Sequence, residues 1–429
     1  MARKQDLEPR DESRRFALKA LGAVGLGAAL SACGGAEKRG SIRVVNALAS
    51  RHAIDVYNGN TLLFSSIAAG DASSGKEVDN TSVGLNVRDA GGSVNAMERT
   101  LSLNEDHRTT AIVSGTDNNL GLSTFVENEG APDGGYAKLR LINTLQSGDA
   151  LDLYLTTSGD DLSSQSPVVS NIGKGATSSF RTLANGTYRL RLTTSGDRNE
   201  VRLDVASFTV TDKQVVTFLA TPTASATLAN GLSLVQGGAA TRHANTHGRV
   251  RFVNGASADA TAQASVDGVS RATVGGWGVG SYSLIQEGSR TITFHFNSQD
   301  YSQQFGFEAG TDRTVALASQ NGTVSIVTAT DENLPSATSD RFKMRLVNLA
   351  EGIGSVQLTY NSGSVIADYT TSGQFSAYRD FTSGTYDFKA TAGGLTGTIE
   401  DASVASSAVY SAFVFGVGSI GSFAIIRDR

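Results

Sequence analysis

Short runs of alternating apolar and polar residues fill most of this chain, and one run recurs four times. It reads IRVVN at Ile42–Asn46, LRLIN at Leu139–Asn143, VRFVN at Val250–Asn254 and MRLVN at Met344–Asn348. The arginines stand at positions 43, 140, 251 and 345, so the steps are 97, 111 and 94 residues. A repeat of that length can bury a core of its own. Nine residues beyond each asparagine comes Asp55, Asp152, Gln263 or Gln357. Ile54 and Val56 flank the first and Leu151 and Leu153 the second, a period of two that predicts a half-buried strand with the acid on its polar face.

Three repeats continue with a glycine-led strand, at Gly186–Arg191, Gly288–Phe294 and Gly384–Phe388; in the first repeat Val83–Val87 is the only candidate. Every repeat then closes on two β-rich runs around a turn. These are Thr109–Ser114 with Gly121–Glu127, Gln214–Ala220 with Gly231–Gln236, Arg313–Ala318 with Gly322–Ala329, and Val409–Phe415 with Ser422–Arg427. Six or seven short strands per repeat predict an all-β chain of four tandem immunoglobulin-like β-sandwich modules. Their expected bounds are 41–127, 137–236, 248–330 and 341–429. The intervening stretches Glu127–Gly135, Gln236–His247 and Asp331–Asp340 lose the alternation, and Pro132 and Pro335 fall within them, which reads as linker.

Composition agrees with strands joined by turns. Of 429 residues 48 are glycine and 5 proline, and only 18% are charged. The apolar content is too high for a disordered chain, and Leu, Lys and Glu are too scarce for helix bundles. A formal net charge of −5 lacks the basic footprint that phosphate backbones require, so nucleic acid is not an expected partner.

The single cysteine explains itself by position. Arg14-Arg15 precede an apolar Gly/Ala-rich run, Leu21–Ala32, and then comes Cys33. A positive segment, a short apolar segment and small residues before the cut form a secretory signal, and the run is too short to span a bilayer as a helix. Leu30-Ser31-Ala32-Cys33 resembles the lipobox of bacterial lipoproteins. That resemblance implies cleavage after Ala32, loss of residues 1–32, acyl chains on Cys33, and a tether over residues 33–40 that holds the protein to the membrane. Gly34 follows the cysteine where aspartate would mark inner-membrane retention, so the outer membrane is expected in a two-membraned cell. Ser13-Arg14-Arg15-Phe16 leaves both the general secretory and the twin-arginine route open.

The opening arginine–asparagine strand, the Asp-apolar-Tyr of Asp55–Tyr57 and Asp152–Tyr154, and the Gly-Thr-Tyr of Gly186–Tyr188 and Gly384–Tyr386 together resemble the domain of unknown function numbered 4397. The first two repeats fit it best; the last two lack the Asp and Tyr. The resemblance implies a β-sandwich in secreted or lipid-anchored bacterial proteins and brings no catalytic residues with it.

Four candidate sites follow. Arg43 and Asp55, Arg140 and Asp152, Arg251 and Gln263, and Arg345 and Gln357 all stand twelve residues apart. If the first two strands are neighbours in one sheet, each arginine bonds across to the acid or amide, a surface pair contributing under about 1 kcal/mol; the alternative is a ligand site repeated four times. Trp277 and Tyr282, in a glycine-rich loop, offer either a ligand-stacking platform or a plug for the third module. Gly416–Gly421 fits G-x-G-x-x-G, but the helix and the later acid that a dinucleotide needs are missing, so a hairpin is expected. His243 and His247 lie four apart in a stretch read as solvated linker, and no metal or other cofactor is expected. These features point to a non-catalytic envelope protein, structural or adhesive, that engages envelope polysaccharide or another surface protein. The alternatives are a polysaccharide- or solute-binding module and, third, an enzyme with an unrecognised site. Oligomeric state is left open.

Overall fold

Each repeat folds into two β-sheets that face one another across an apolar layer, and the reason lies in its strand order. The opening strands, Gly40–Leu48, Tyr136–Asn143, His247–Asn254 and Arg341–Asn348, do not pair with the strands that follow them. Each lies parallel to the penultimate strand of its own repeat, Arg108–Thr116, Val215–Pro222, Asp312–Gln320 or Val409–Phe415. The register is the same throughout and sets Arg43 beside Thr110, Arg140 beside Thr217, Arg251 beside Thr314 and Arg345 beside Ser411. A closing strand completes this first sheet antiparallel to the penultimate one. The strands bearing Asp55, Asp152, Gln263 and Gln357 belong to the second sheet.

A computed structural model of the chain describes residues 39–48, 52–116, 119–146, 149–157, 159, 161–225, 227–361 and 363–429. Among them the chain is all-β, with eight sheets of four or five strands and one 3-10 turn at Leu162–Ser164. No helix among these residues is long and apolar enough to cross a membrane. Modules carry eight or more strands, because short edge strands such as Lys76–Val78 and Arg181–Ala184 lack any alternation the sequence could reveal.

Four apolar clusters occupy the sandwiches, one per module; Val44, Leu141, Phe252 and Leu346 are each fully buried at their centres. The repeated asparagine staples the two sheets. Its amide oxygen accepts from the backbone two residues on, at Leu48, Leu145, Ala256 and Ala350. Its amide nitrogen donates into the second sheet, to the carbonyls of Ile67, Ile172, Val274 and Thr370. Asn46, Asn143, Asn254 and Asn348 are accordingly buried with their polar groups satisfied.

Two further clusters do not belong to any single module. Val45, Ala47 and Ile112 pack against Ile142, Leu219, Leu232 and Leu234, so modules 1 and 2 dock through their first sheets. Val253, Ala316 and Ala318 meet Val347, Leu349, Phe413 and Phe415 in the same way between modules 3 and 4. The first sheets therefore carry apolar residues on both faces, with the repeated arginine and the hydroxyl beside it as the polar exceptions on the docking face.

The stretch Gln236–His247, expected to be a solvated linker, is built in, whereas Asn128–Gly135 is a largely exposed connection without strands. Ala240–His243 is a strand added to module 2 beside Ala229–Val235. His243 bonds Ser233 at 3.0 Å and packs on Phe208 and Phe218. Asn245 donates to the carbonyls of Arg202 and Ala229.

Candidate functional site: arginine clamps between paired modules

The repeated arginine points away from its own core and into the neighbouring module. In the opening strands Ile42, Val44 and Asn46 face inward, so Arg43 at period two faces the docking surface, as do Arg251 and Arg345. All three are about 1% exposed, and a guanidinium buried to that degree must be neutralised and hydrogen-bonded.

Between modules 3 and 4 the demand is met twice over, by a crossed pair. Arg251 Nε donates to its own module's Thr314 at 2.8 Å, while Nη2 and Nη1 donate to Ser411 and Asp428 of module 4. Arg345 mirrors it: Nε donates to Ser411 at 2.9 Å, and Nη2 donates to Thr314 and Asp331 of module 3. Each hydroxyl accepts from both arginines and donates to an acid, Thr314 to Asp331 and Ser411 to Asp428, which saturates it. Tyr282 and Tyr378 cap the arrangement. Their hydroxyls donate to Asp331 and Asp428, and their rings lie 5.0 Å and 4.7 Å from the Arg251 and Arg345 guanidinium carbons. Burial alone lowers Arg251 and Arg345, yet Asp428 and Asp331 outweigh it, and both arginines sit above their ordinary pKa. Burial pushes Asp331 up, but Arg345 and Arg251 hold it below the usual carboxylate range. Burial raises both tyrosines well above theirs.

The junction of modules 1 and 2 uses the same positions less completely. Arg43 Nη2 donates to the carbonyls of Gly238 at 2.6 Å and Val235 at 3.4 Å, and lies 3.5 Å from Glu127 of its own module. Its Nε and Nη1 are buried without a hydrogen-bond partner. Arg140 is half-buried, bonds Thr217 at 3.0 Å, and stacks between Phe125 and Phe180 at 4.4 and 4.5 Å. Where modules 2, 3 and 4 place Phe180, Tyr282 and Tyr378 beside the arginine, module 1 has Gly75. The Arg108 guanidinium occupies that space and would collide with any β-carbon at Gly75. Burial is the dominant influence on Arg43 and Arg140, and both fall below their ordinary pKa despite Glu127 and Glu129. A polar cavity of about 630 Å³, lined by Arg39, Ser41, His107, Arg108, Glu127 and Gln236, opens beside this junction.

The structure does not bring the twelve-residue pairs together, because the two partners lie in different sheets. Asp55 instead accepts from the backbone of Ser66 at 2.7 Å and Gly91 at 2.9 Å, and Asp152 from Asn171 and Gly196 at 2.8 and 3.0 Å. Ser66 and Asn171 have φ of 51° and 57° beside a register shift, so each aspartate caps a bulge. In module 3 Gln263 pairs in regular register with Thr273 and is exposed. Gln357 of module 4 stands beside a register shift and is half-buried.

Trp277 is not a free stacking platform. Its ring joins the apolar layer between modules 3 and 4 and lies against Gly421, where a β-carbon would strike it. Tyr282 is committed to the clamp. Gly416–Gly421 forms the turn of a hairpin in which Gly421 donates to Phe415 at 2.9 Å. Cys33 and Ala32 lie outside the described residues. Among those residues no group of three His, Cys, Asp or Glu side chains is arranged to hold a metal.

Residues 40–154 match the model of the domain of unknown function DUF4397. That span covers module 1 and, in module 2, the opening strand and the start of the strand Leu151–Thr156. No curated protein matches the chain. Solved structures similar to it include the Bacillus anthracis TIE protein, at 10% identity over 89% of this chain and 69% of that one, with a TM-score of 0.15. Another is a product complex of the multi-modular glycogen-degrading pneumococcal virulence factor SpuA, at 9% identity, 86% of this chain and a TM-score of 0.18. The chain spans 38% of that second structure's length. At these TM-scores neither fold nor activity is carried across.

Residues missing from the sequence reading are the acids and hydroxyls of the clamps. A signal for the acids exists: the four closing strands run into Glu127, Gln236, Asp331 and Asp428, one acid or amide each. Glu127, Gln236 and Asp331 each open a stretch that reads as linker, and Asp428 follows the last strand of the fourth module, so none stands out as a partner for an arginine.

Proposed function

We propose that this protein is a non-catalytic, lipid-anchored component of the bacterial envelope, exported by its leader, acylated at Cys33, and acting as a structural or adhesive presenter of paired β-sandwich modules. One observation carries the reading: the side chain that recurs in every repeat is spent on holding modules together or on their facing surfaces, and three of the four arginines are inaccessible to a ligand. Firmly docked modules suit a protein whose work is to hold a surface in place. In a two-membraned cell, Gly34 after the cysteine favours the outer membrane.

The anchor is tested by expressing the full-length chain in a bacterium fed alkyne-tagged palmitate. Label on the protein that vanishes in Cys33→Ser, with the variant leaving the membrane fraction, is the expected result. An unlabelled wild-type chain would remove the anchor from this reading.

A further inference from the structure

Modules 1 and 4 share a surface groove, and its lining differs between them in a chemically informative way. In both it runs between the end of an edge strand of the second sheet, Thr61–Ile67 or Ser364–Thr370, and the segment that crosses to the first sheet. The strand registers equate Ser66 with Tyr369, Ala72 with Phe375 and Lys76 with Arg379. Asn171 and Thr273 stand at the Tyr369 position in modules 2 and 3. Module 4 alone therefore carries an aromatic ring there, and it is 67% exposed. A tyrosine left in water beside a groove of about 330 Å³ is within the size range of small-ligand sites, roughly 300–1,000 Å³.

Polar groups around it are planar and balanced. Arg379 Nη2 donates to Asp368 Oδ2 at 3.0 Å, with both side chains at least half exposed. Gln374 is exposed alongside them, and half-buried Phe375 forms part of the lining. The paired charges cancel, so the groove has no electrostatic preference for an anion or a cation. Carboxylate, guanidinium and amide edges bind vicinal hydroxyls in their own planes, while an exposed ring face binds a disc of C–H bonds.

We propose that this groove of module 4 binds a pyranose unit of a neutral polysaccharide, with Tyr369 as the stacking face and Asp368, Arg379 and Gln374 as hydroxyl-binding groups. The site goes beyond the structural role above and does not depend on the lipid anchor, so either reading can fail without the other. It commits module 4, the module farthest along the chain from Cys33, to contact with glycan.

The test is isothermal titration of the full-length protein with maltohexaose, cellohexaose and chitohexaose. Saturable binding of at least one, with one site per chain, is expected. Tyr369→Ala should weaken it about tenfold, the scale of one lost stacking contact, and Tyr369→Phe should retain it. Ser66→Ala, in the corresponding groove of module 1, should leave it unchanged. Absence of binding to all three sugars would overturn the proposal, as would a Tyr369→Ala protein that binds like wild type. So would a protein partner held at Tyr369 that excess hexasaccharide does not displace.

Discussion

The junction of modules 3 and 4 and that of modules 1 and 2 are built from one plan and differ in charge balance. In the first, two arginines face two aspartates, each arginine crossing to the other module's acid, with two hydroxyls and two tyrosines completing the set. In the second, Glu127 is the acid beside Arg43, the corresponding position in module 2 is Gln236, and Arg108 adds a further cation where an aromatic ring would stand. The consequence shows in the guanidiniums, raised above their ordinary pKa at one junction and lowered at the other. Burying an arginine is tolerable when its acid comes with it. Where the acid is shared or distant, the same residue weakens the contact it spans.

The comparison breaks most directly at Asp428. Asp428→Ala leaves Arg251 buried without its acid and should cost about 3–5 kcal/mol, read as a lower melting temperature and faster amide exchange along Val409–Phe415. Glu127→Ala should cost less, about 2–3 kcal/mol, because the Arg43–Glu127 contact is longer and Arg43 keeps two backbone carbonyls. Equal losses for the two variants would show that the junctions do not differ as described. A second contrast lies inside the modules. Asp55→Ala and Asp152→Ala each strand two backbone N–H groups and should cost about 1–3 kcal/mol, whereas Gln263→Ala, exposed in regular register, should fall within about 0.5 kcal/mol of wild type. The smallest effect is pH-dependent. Burial lowers the pKa of His243 and His247 in the folded protein, so their neutral forms are favoured there. Stability from that source is present above the unfolded histidine value near 6.5 and is lost as pH falls through the lower folded values. Denaturant midpoints for the protein should therefore drop between pH 7 and pH 5, and His243→Phe should reduce the change.

Much of the fold was legible. The four-fold recurrence, the period-two strands and the closing hairpins all appear in the sandwiches, because each depends on local alternation and turn chemistry. Strand partnership was not legible. Nothing near Arg43 or Asp55 states that the first strand leaves its sequence neighbour to lie beside Arg108–Thr116, and the assumed arginine–aspartate pairing failed on that point alone. A clue was present in apolar runs interrupted by a single hydroxyl, such as Val215–Ala220 with Thr217, that mark a sheet covered on both faces. It implied a second layer without naming it. The clamp acids were hidden for a related reason: a charged residue following a strand looks like the start of a loop until the facing module is in view.

Because the opening strand runs parallel to the penultimate one and the closing strand runs back, the chain leaves modules 1, 3 and 4 at the end where it came in, whereas in module 2 the added strand Ala240–His243 carries it back to the opposite end. Tension on those two points would not shear the sheet but would peel it, breaking one backbone bond after another from the exit. Asp331 and Asp428 stand at that exit, each tied to an arginine of the opposite module. They act as the stitch at the open end of a seam, so resistance to pulling would begin with two ion pairs rather than with the ladder behind them.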